Sequence, residues 1–162
     1  MPATPLTVTD RYVAPETTVT YWVDTMSDYT SPTRSELNAG TDLTAEIVAA
    51  TGWELAADNV ATPDGGSLFT SQIPGRINPG DATISFYASR DTVDVRDLIA
   101  RGDTGYVVHL HGGDVSGQKM DVWKVRVRSV SAPIDYAASN AAMITILFSI
   151  TAVPAENVAI PA

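Results

Sequence analysis

Residues 120–131 read MDVWKVRVRSVS, and their alternation decides the class of fold. Trp123, Val125 and Val127 fall on one side of an extended chain, and Lys124, Arg126 and Arg128 fall on the other. That is the period-two pattern of a half-buried β-strand. Immediately upstream, GGDVSGQ (112–118) joins it, as in a hairpin, to a strand over residues 106–111 with Tyr106, Val108 and Leu110 on one face. Downstream, AAMITILFSIT (141–151) places Ile144, Ile146, Phe148 and Ile150 on a core side and Met143, Thr145, Leu147 and Ser149 on a mixed second face.

Farther out the pattern holds. In residues 82–88, Ala82, Ile84 and Phe86 alternate with Thr83, Ser85 and Tyr87, and TTVTYWVD (17–24) is rich in β-branched and aromatic residues. Residues 53–62 return to extended structure. The stretch 43–51 supports two readings: Leu43, Ile47 and Ala50 have helical spacing, while adjacent Ile47 and Val48 suit a buried strand. Thr33 and Glu36 form a capping-box pair, with Gly40 placed to close a short helical turn. One longer helix is predicted over 93–101. Thr92 caps it, Val95, Leu98 and Ile99 share a face, Asp97 and Arg101 form an i,i+4 pair, and Gly102 ends it.

Residues 63–80, PDGGSLFTSQIPGRINPG, hold four glycines and three prolines around Leu68, Phe69 and Ile73. A loop of that length in a small domain is uncommon and is usually functional or disordered. Its embedded apolar residues predict a loop that docks on something. Residues 1–16, with three prolines, read as a loose N-terminal arm, and 155–162 as an extended C-terminal arm. The expectation is a mainly-β single domain over 17–154, with one flanking helix.

Composition narrows function. At 162 residues and 44% hydrophobic, the chain can bury one core. It has no run of 18 apolar residues, and its opening residues lack the basic start and apolar stretch of a signal peptide. Zero cysteines exclude disulfides and thiolate chemistry and fit assembly in a reducing cytoplasm. The net charge of -9 is the reverse of what gripping DNA requires.

No catalytic constellation emerges. His109 and His111 lie two apart on one strand, but no third ligand completes a metal site, so they read as a pair of surface histidines. Gly112 to Lys119 resembles a phosphate loop superficially, yet Gln118 stands where its lysine belongs and the segment joins two strands. No G-x-S-x-G elbow occurs, and no spacing nominates a carboxylate pair. The basic row Lys124, Arg126 and Arg128 is better matched to acidic groups of the same or a neighbouring copy than to phosphate. The chain reads as non-enzymatic, with no cofactor and no metal.

An ordered series of words carries a resemblance: TRSELNAGTDLT (33–44), Gly52–Trp53, VATPDGGSLFTSQIPG (60–75), DATISFY (81–87), RGDTGYVV (101–108), DVWKVRVRSVS (121–131) and ITILFSITAVP (144–154). Together they resemble the tail tube (major tail) proteins of long, non-contractile-tailed phages of actinobacterial hosts. One departure is Gly65–Gly66, where a larger apolar residue is expected. The resemblance implies a β-sandwich flanked by one helix, closing into rings of six whose inner sheets join as a barrel around a channel. Rings would stack into a tube in the virion tail, assembled in the host cytoplasm, through which the genome passes without specific binding.

In that reading Pro63, Asp64, Leu68, Phe69, Gln72, Ile73 and Pro74 carry ring-to-ring or subunit contacts, and Lys124, Arg126 and Arg128 pair with acids across subunits. Partners would be further copies, a tape measure and tail-tip or terminator proteins, with no membrane. The acidic balance predicts a channel wall of acidic and small polar side chains, against which Arg126 and Arg128 would stand out. The rival from another class is a monomeric β-sandwich module that binds carbohydrate or decorates a capsid. It would need an exposed aromatic platform from Trp22, Trp53 or Trp123.

Overall fold

The computed structural model describes residues 3–90, 94–134, 136 and 140–162. In chain order the elements are α1 (Ala14–Thr17), β1 (Val19–Val23), α2 (Arg34–Asn38), β2 (Thr41–Asp42), a 3-10 turn (Thr44–Glu46), β3 (Ile47–Thr51), β4 (Leu55–Thr62), β5 (Ser71–Pro79), β6 (Ala82–Tyr87), α3 (Val95–Leu98), β7 (Thr104–Leu110), β8 (Lys119–Ser131), β9 (Met143–Ile150) and β10 (Ala155–Ala159). The fold is mainly β and sandwich-like, and its described helices are single turns. The chain divides into two compact units of interleaved segments: residues 1–45, 105–124 and 152–162 form one, residues 46–104 and 125–151 the other.

In the first unit β1 lies between β2 and β7, antiparallel to both, with Tyr21 opposite Asp42 and Val108. Its core gathers Val23, Leu37, Val108, Leu110, Met120, Val122 and Ile160, each at most 2% exposed. Burying a side chain of this size contributes about 1.5–3 kcal/mol. Leu37 reaches that core because α2 is capped as its sequence predicts: the Thr33 hydroxyl accepts from the Glu36 N–H, and the Glu36 carboxylate accepts from the Thr33 N–H at 2.8 Å. The Trp22 indole lies so close to Gly105 that a Cβ there would meet its Cζ2 at 2.5 Å, so only glycine fits beneath the ring.

Two expectations change in this unit. The C-terminal arm is not an arm: residues 155–159 are β10, paired antiparallel with β8, and Ile160 is buried. Val158 and Ile160 supply an alternation too short to stand out beside Glu156 and Asn157. His109 is not on the surface either. It is 7% exposed, and its Nδ1 is hydrogen-bonded to Thr20 Oγ1 at 3.0 Å.

In the second unit the later part of β8, then β9, β6 and β3 form an antiparallel series. The rungs Phe86–Ile144, Ile84–Ile146 and Ala82–Phe148 stack fully buried apolar pairs, and Ile99 adds to the buried set. Trp53 tilts against Phe148 with ring centroids 5.5 Å apart, and its Nε1 donates to the Thr83 carbonyl at 3.3 Å. The turn from β3 to β4 requires Gly52, whose φ is +76° and whose Cβ would fall 2.0 Å from the Asp81 carbonyl oxygen. The ambiguous stretch 43–51 resolves as a 3-10 turn followed by β3.

Here too the expectations shift. The loop 63–80 shrinks to residues 63–70, because β5 occupies Ser71–Pro79 and pairs with β4 in a separate two-stranded sheet. The helix expected over 93–101 is the single turn α3, capped by Asp94, whose Oδ1 accepts from the Arg96 N–H at 2.9 Å. Of its predicted apolar face Ile99 is buried while Leu98 is 36% exposed. The expected cap Thr92 lies outside the described residues.

Candidate assembly surface

The seven loop residues singled out in sequence sit on one hairpin. Pro63, Asp64, Leu68 and Phe69 lie in the turn, and Gln72, Ile73 and Pro74 lie on β5, opposite Ala61, Val60 and Asn59. All seven are exposed. Local hydrogen bonds shape the turn: Asp64 Oδ1 accepts from the Gly66 N–H at 2.9 Å and Ser67 Oγ from the Phe69 N–H at 3.0 Å. Across its mouth the Thr62 and Ser71 hydroxyls lie 2.7 Å apart.

Hydrophobic burial does not account for this hairpin. Leu68 is 109% and Phe69 77% exposed at its tip, and Ile73 and Ile77 are more than half exposed along β5. Sequence reading missed Val60 and Ile77. Val60 stands beside Ile73 as its cross-strand partner and is 49% exposed. A two-stranded hairpin is marginal alone in water and needs a covered apolar face. This one presents its apolar side chains to solvent.

The basic row lies on the exposed face of β8, where Lys124, Arg126 and Arg128 are all exposed. Arg126 Nε donates to the Gly102 carbonyl at 3.3 Å, and Arg128 Nη1 pairs with Asp81 Oδ1 at 2.9 Å. Arg128 thus meets an acid of its own chain. Around them the same sheet face carries small hydroxyl groups: Ser149 opposite Arg126, Thr83 opposite Leu147, and Ser85 opposite Thr145 with their hydroxyls 3.3 Å apart.

A second polar cluster, in the first unit, was invisible in sequence. Arg34 makes a bidentate pair with Asp114, Nη2 to Oδ2 at 2.6 Å, and the Tyr21 hydroxyl donates to the same Oδ2 at 2.8 Å. The Arg34 hydrogen bond holds the Asp114 carboxyl below its ordinary range, while burial pushes the Tyr21 phenol up to about 12. The cluster ties α2 to the turn after β7 and floors an open concavity with Asn38, Gly40 and Asp42. Its charges are mutually satisfied, which suits a brace better than a reactive centre.

The histidines are separated by environment. Burial pushes the His109 imidazole down to about 4, whereas His111 Nε2 donates to Asp121 Oδ2 at 2.6 Å. Among the described residues no group of three or more His, Cys, Asp or Glu could hold a metal ion, and no helix is long and apolar enough to cross a membrane. Trp22 and Trp123 are buried and Trp53 is packed on Phe148, so the aromatic platform a carbohydrate-binding module needs is not built from them.

Comparison with known proteins follows the same line. The family described as phage tail tube protein matches residues 6–162. A chain of the cryo-EM structure of the anti-feeding prophage baseplate, 6-fold symmetrised, is similar in fold, with a TM-score of 0.58 at 9% identity over 93% of this chain and 94% of that chain. No curated protein matches the sequence.

Proposed function

The chain belongs to the phage tail tube protein family, and from that premise we propose that it is the structural subunit of a tail tube, closing into rings that stack around a channel for the genome. The observation that carries this reading is the β4–β5 hairpin, on which Leu68, Phe69, Ile73 and Ile77 are each more than half exposed in the isolated chain. A subunit that is one link in a polymer needs such a surface on each copy and a complementary one elsewhere on it. Pro63, Asp64, Leu68, Phe69, Gln72, Ile73 and Pro74 then meet a neighbouring copy. Rings of six are the reading the 6-fold symmetry of the similar baseplate supports. The tube would be a virion component, with tape-measure and tail-tip or terminator proteins as partners.

The hydroxyl-rich face of β6, β8 and β9 suits the channel wall. Ser85, Thr145 and Ser149 offer weak, neutral contacts, and the Asp81 carboxylate and Gly102 carbonyl occupy Arg128 and Arg126. Screening over about 8 Å in physiological salt confines the remaining charge to near contact. A polyanion then slides without adhering. Lys124, Arg126 and Arg128 remain candidates for pairing with acids of the next copy.

Negative-stain electron microscopy of the purified protein tests the reading. Rings or tubes about 100 Å wide are expected for several domains of this size around a pore. A species that stays monomeric at high concentration overturns it.

A further inference from the structure

We infer that Asp64 is a site of spontaneous covalent modification, at which the free chain converts its Asp64–Gly65 bond to an isoaspartyl linkage. Among the aspartates and asparagines of the sequence, Asp64 alone precedes a glycine. Glycine has no Cβ, so its backbone nitrogen is open to the carboxyl before it. The bond lies beyond Thr62–Ser71, the last rung between β4 and β5, and residues 63–70 are all exposed to water. Asp64 Oδ1 accepts from the Gly66 N–H at 2.9 Å, which folds the carboxyl over the peptides that follow and draws electron density from its carbon. A Cβ on Gly66 would meet that same oxygen at 3.5 Å. The side chain is thus held on the side from which a ring closes, and such positioning lowers the barrier to an intramolecular attack. The fold itself does not require glycine at 65. Its φ lies outside the left-handed region, and an added Cβ would meet no atom within 4 Å.

In the first step the Gly65 nitrogen attacks Cγ of the protonated Asp64 carboxyl. The N–Cγ bond forms, and the amide proton and the carboxyl hydroxyl leave as one water. Water then returns to the cyclic imide at either carbonyl. Opening the Cγ–N bond restores aspartate. Opening the bond from nitrogen to the main-chain carbonyl leaves the backbone running through Cγ, with the former main-chain carbonyl as the carboxylate. No oxidant or cofactor is consumed, and the mass of the chain is unchanged. The backbone gains a methylene in the turn that presents Leu68 and Phe69. On the tube reading, a neighbouring copy at Asp64 excludes water and holds the turn, so the reaction marks subunits left unassembled.

Ageing the purified full chain in warm, mildly acidic buffer tests this. Peptide mapping with electron-transfer fragmentation reads the product, as does methyl transfer from S-adenosylmethionine by an isoaspartyl methyltransferase. Isoaspartate is expected to accumulate at residue 64 ahead of every other aspartate, through an imide lighter by one water. Gly65→Val, whose branched side chain shields the nitrogen, is expected to slow it by about tenfold or more. That variant should keep the wild-type melting temperature within about 2 °C, as an exposed substitution does. No isoaspartate at residue 64, or an equal rate in the variant, overturns the inference. Tubes and free chain aged side by side separate it from the tube reading. Formation in tubes at the free-chain rate overturns the protection. Failure to assemble removes the tube reading and the protection with it, and leaves the modification standing.

Discussion

Replacing Leu68 and Phe69 together by alanine separates assembly from folding. In the isolated chain Leu68 is fully exposed and Phe69 is 77% exposed, so the fold has almost nothing to lose. Substitutions away from packed or polar-network positions change stability by no more than about 0.5 kcal/mol. For a chain of this length that moves the melting temperature by no more than about 2 °C. In an assembly contact the same side chains would be buried, at about 1.5–3 kcal/mol each. Allowing for incomplete burial, the pair contributes about 3 kcal/mol to each contact, or roughly a hundredfold in its dissociation constant. Sedimentation across a concentration series should therefore show the critical concentration for tube growth rising by about that factor while the thermal transition stays put. An unchanged critical concentration would refute the role given to the hairpin tip. A melting temperature lowered by 5 °C or more, on the order of 1–2 kcal/mol, would refute the claim that the tip is free in the subunit.

Four further outcomes follow from the packing and the titrations. His109→Asn should flatten the acid limb of the stability curve between pH 6.5 and 4. With the folded value pushed below the unfolded one, stability is full above 6.5 and declines as the pH falls toward about 4, by on the order of 2–3 kcal/mol; denaturant melts at each pH read it. Glu36 is held down to about 2, chiefly by its hydrogen bond from the Ser27 hydroxyl. Its contribution is present above the ordinary carboxylate value and lost as pH falls toward 2, so Glu36→Gln should remove that component in acid melts. Gly105→Ala should destabilise by about 1–3 kcal/mol in urea unfolding, because its methyl group enters the Trp22 ring. Phe148→Ala, which empties the contact with Trp53, should cost about 3–5 kcal/mol by the same measurement.

Where the chain alternates strictly, sequence and structure agree. β6, β8 and β9 place Ile84, Val125, Val127 and Ile146 inside, as their spacing requires, because one buried face imposes a period of two. The capping box at Thr33 and Glu36 was equally legible, being a local device. Strand β5 was not. It holds Pro74, Gly75 and Pro79, which read as loop, but a strand with only one hydrogen-bonded neighbour leaves its other edge free to accept proline. Its partner β4 escapes the same ambiguity only in part, since Ala56, Ala57 and Asn59 carry little signal. The brace of Tyr21, Arg34 and Asp114 was illegible for another reason. Its members lie up to 93 residues apart, and nothing local marks an arginine that will be paired with a distant carboxylate.

The burial of Ile160 beside β8 also bears on biosynthesis. The first unit draws on residues 1–45, 105–124 and 152–162, so it cannot close until residue 160 has left the ribosome. Translation at about 5–20 residues per second leaves the early strands waiting for several seconds without their final partner. Under the proposed assembly this delay has a use: nascent chains crowded on one messenger cannot present a completed first unit to one another before residue 160 has emerged.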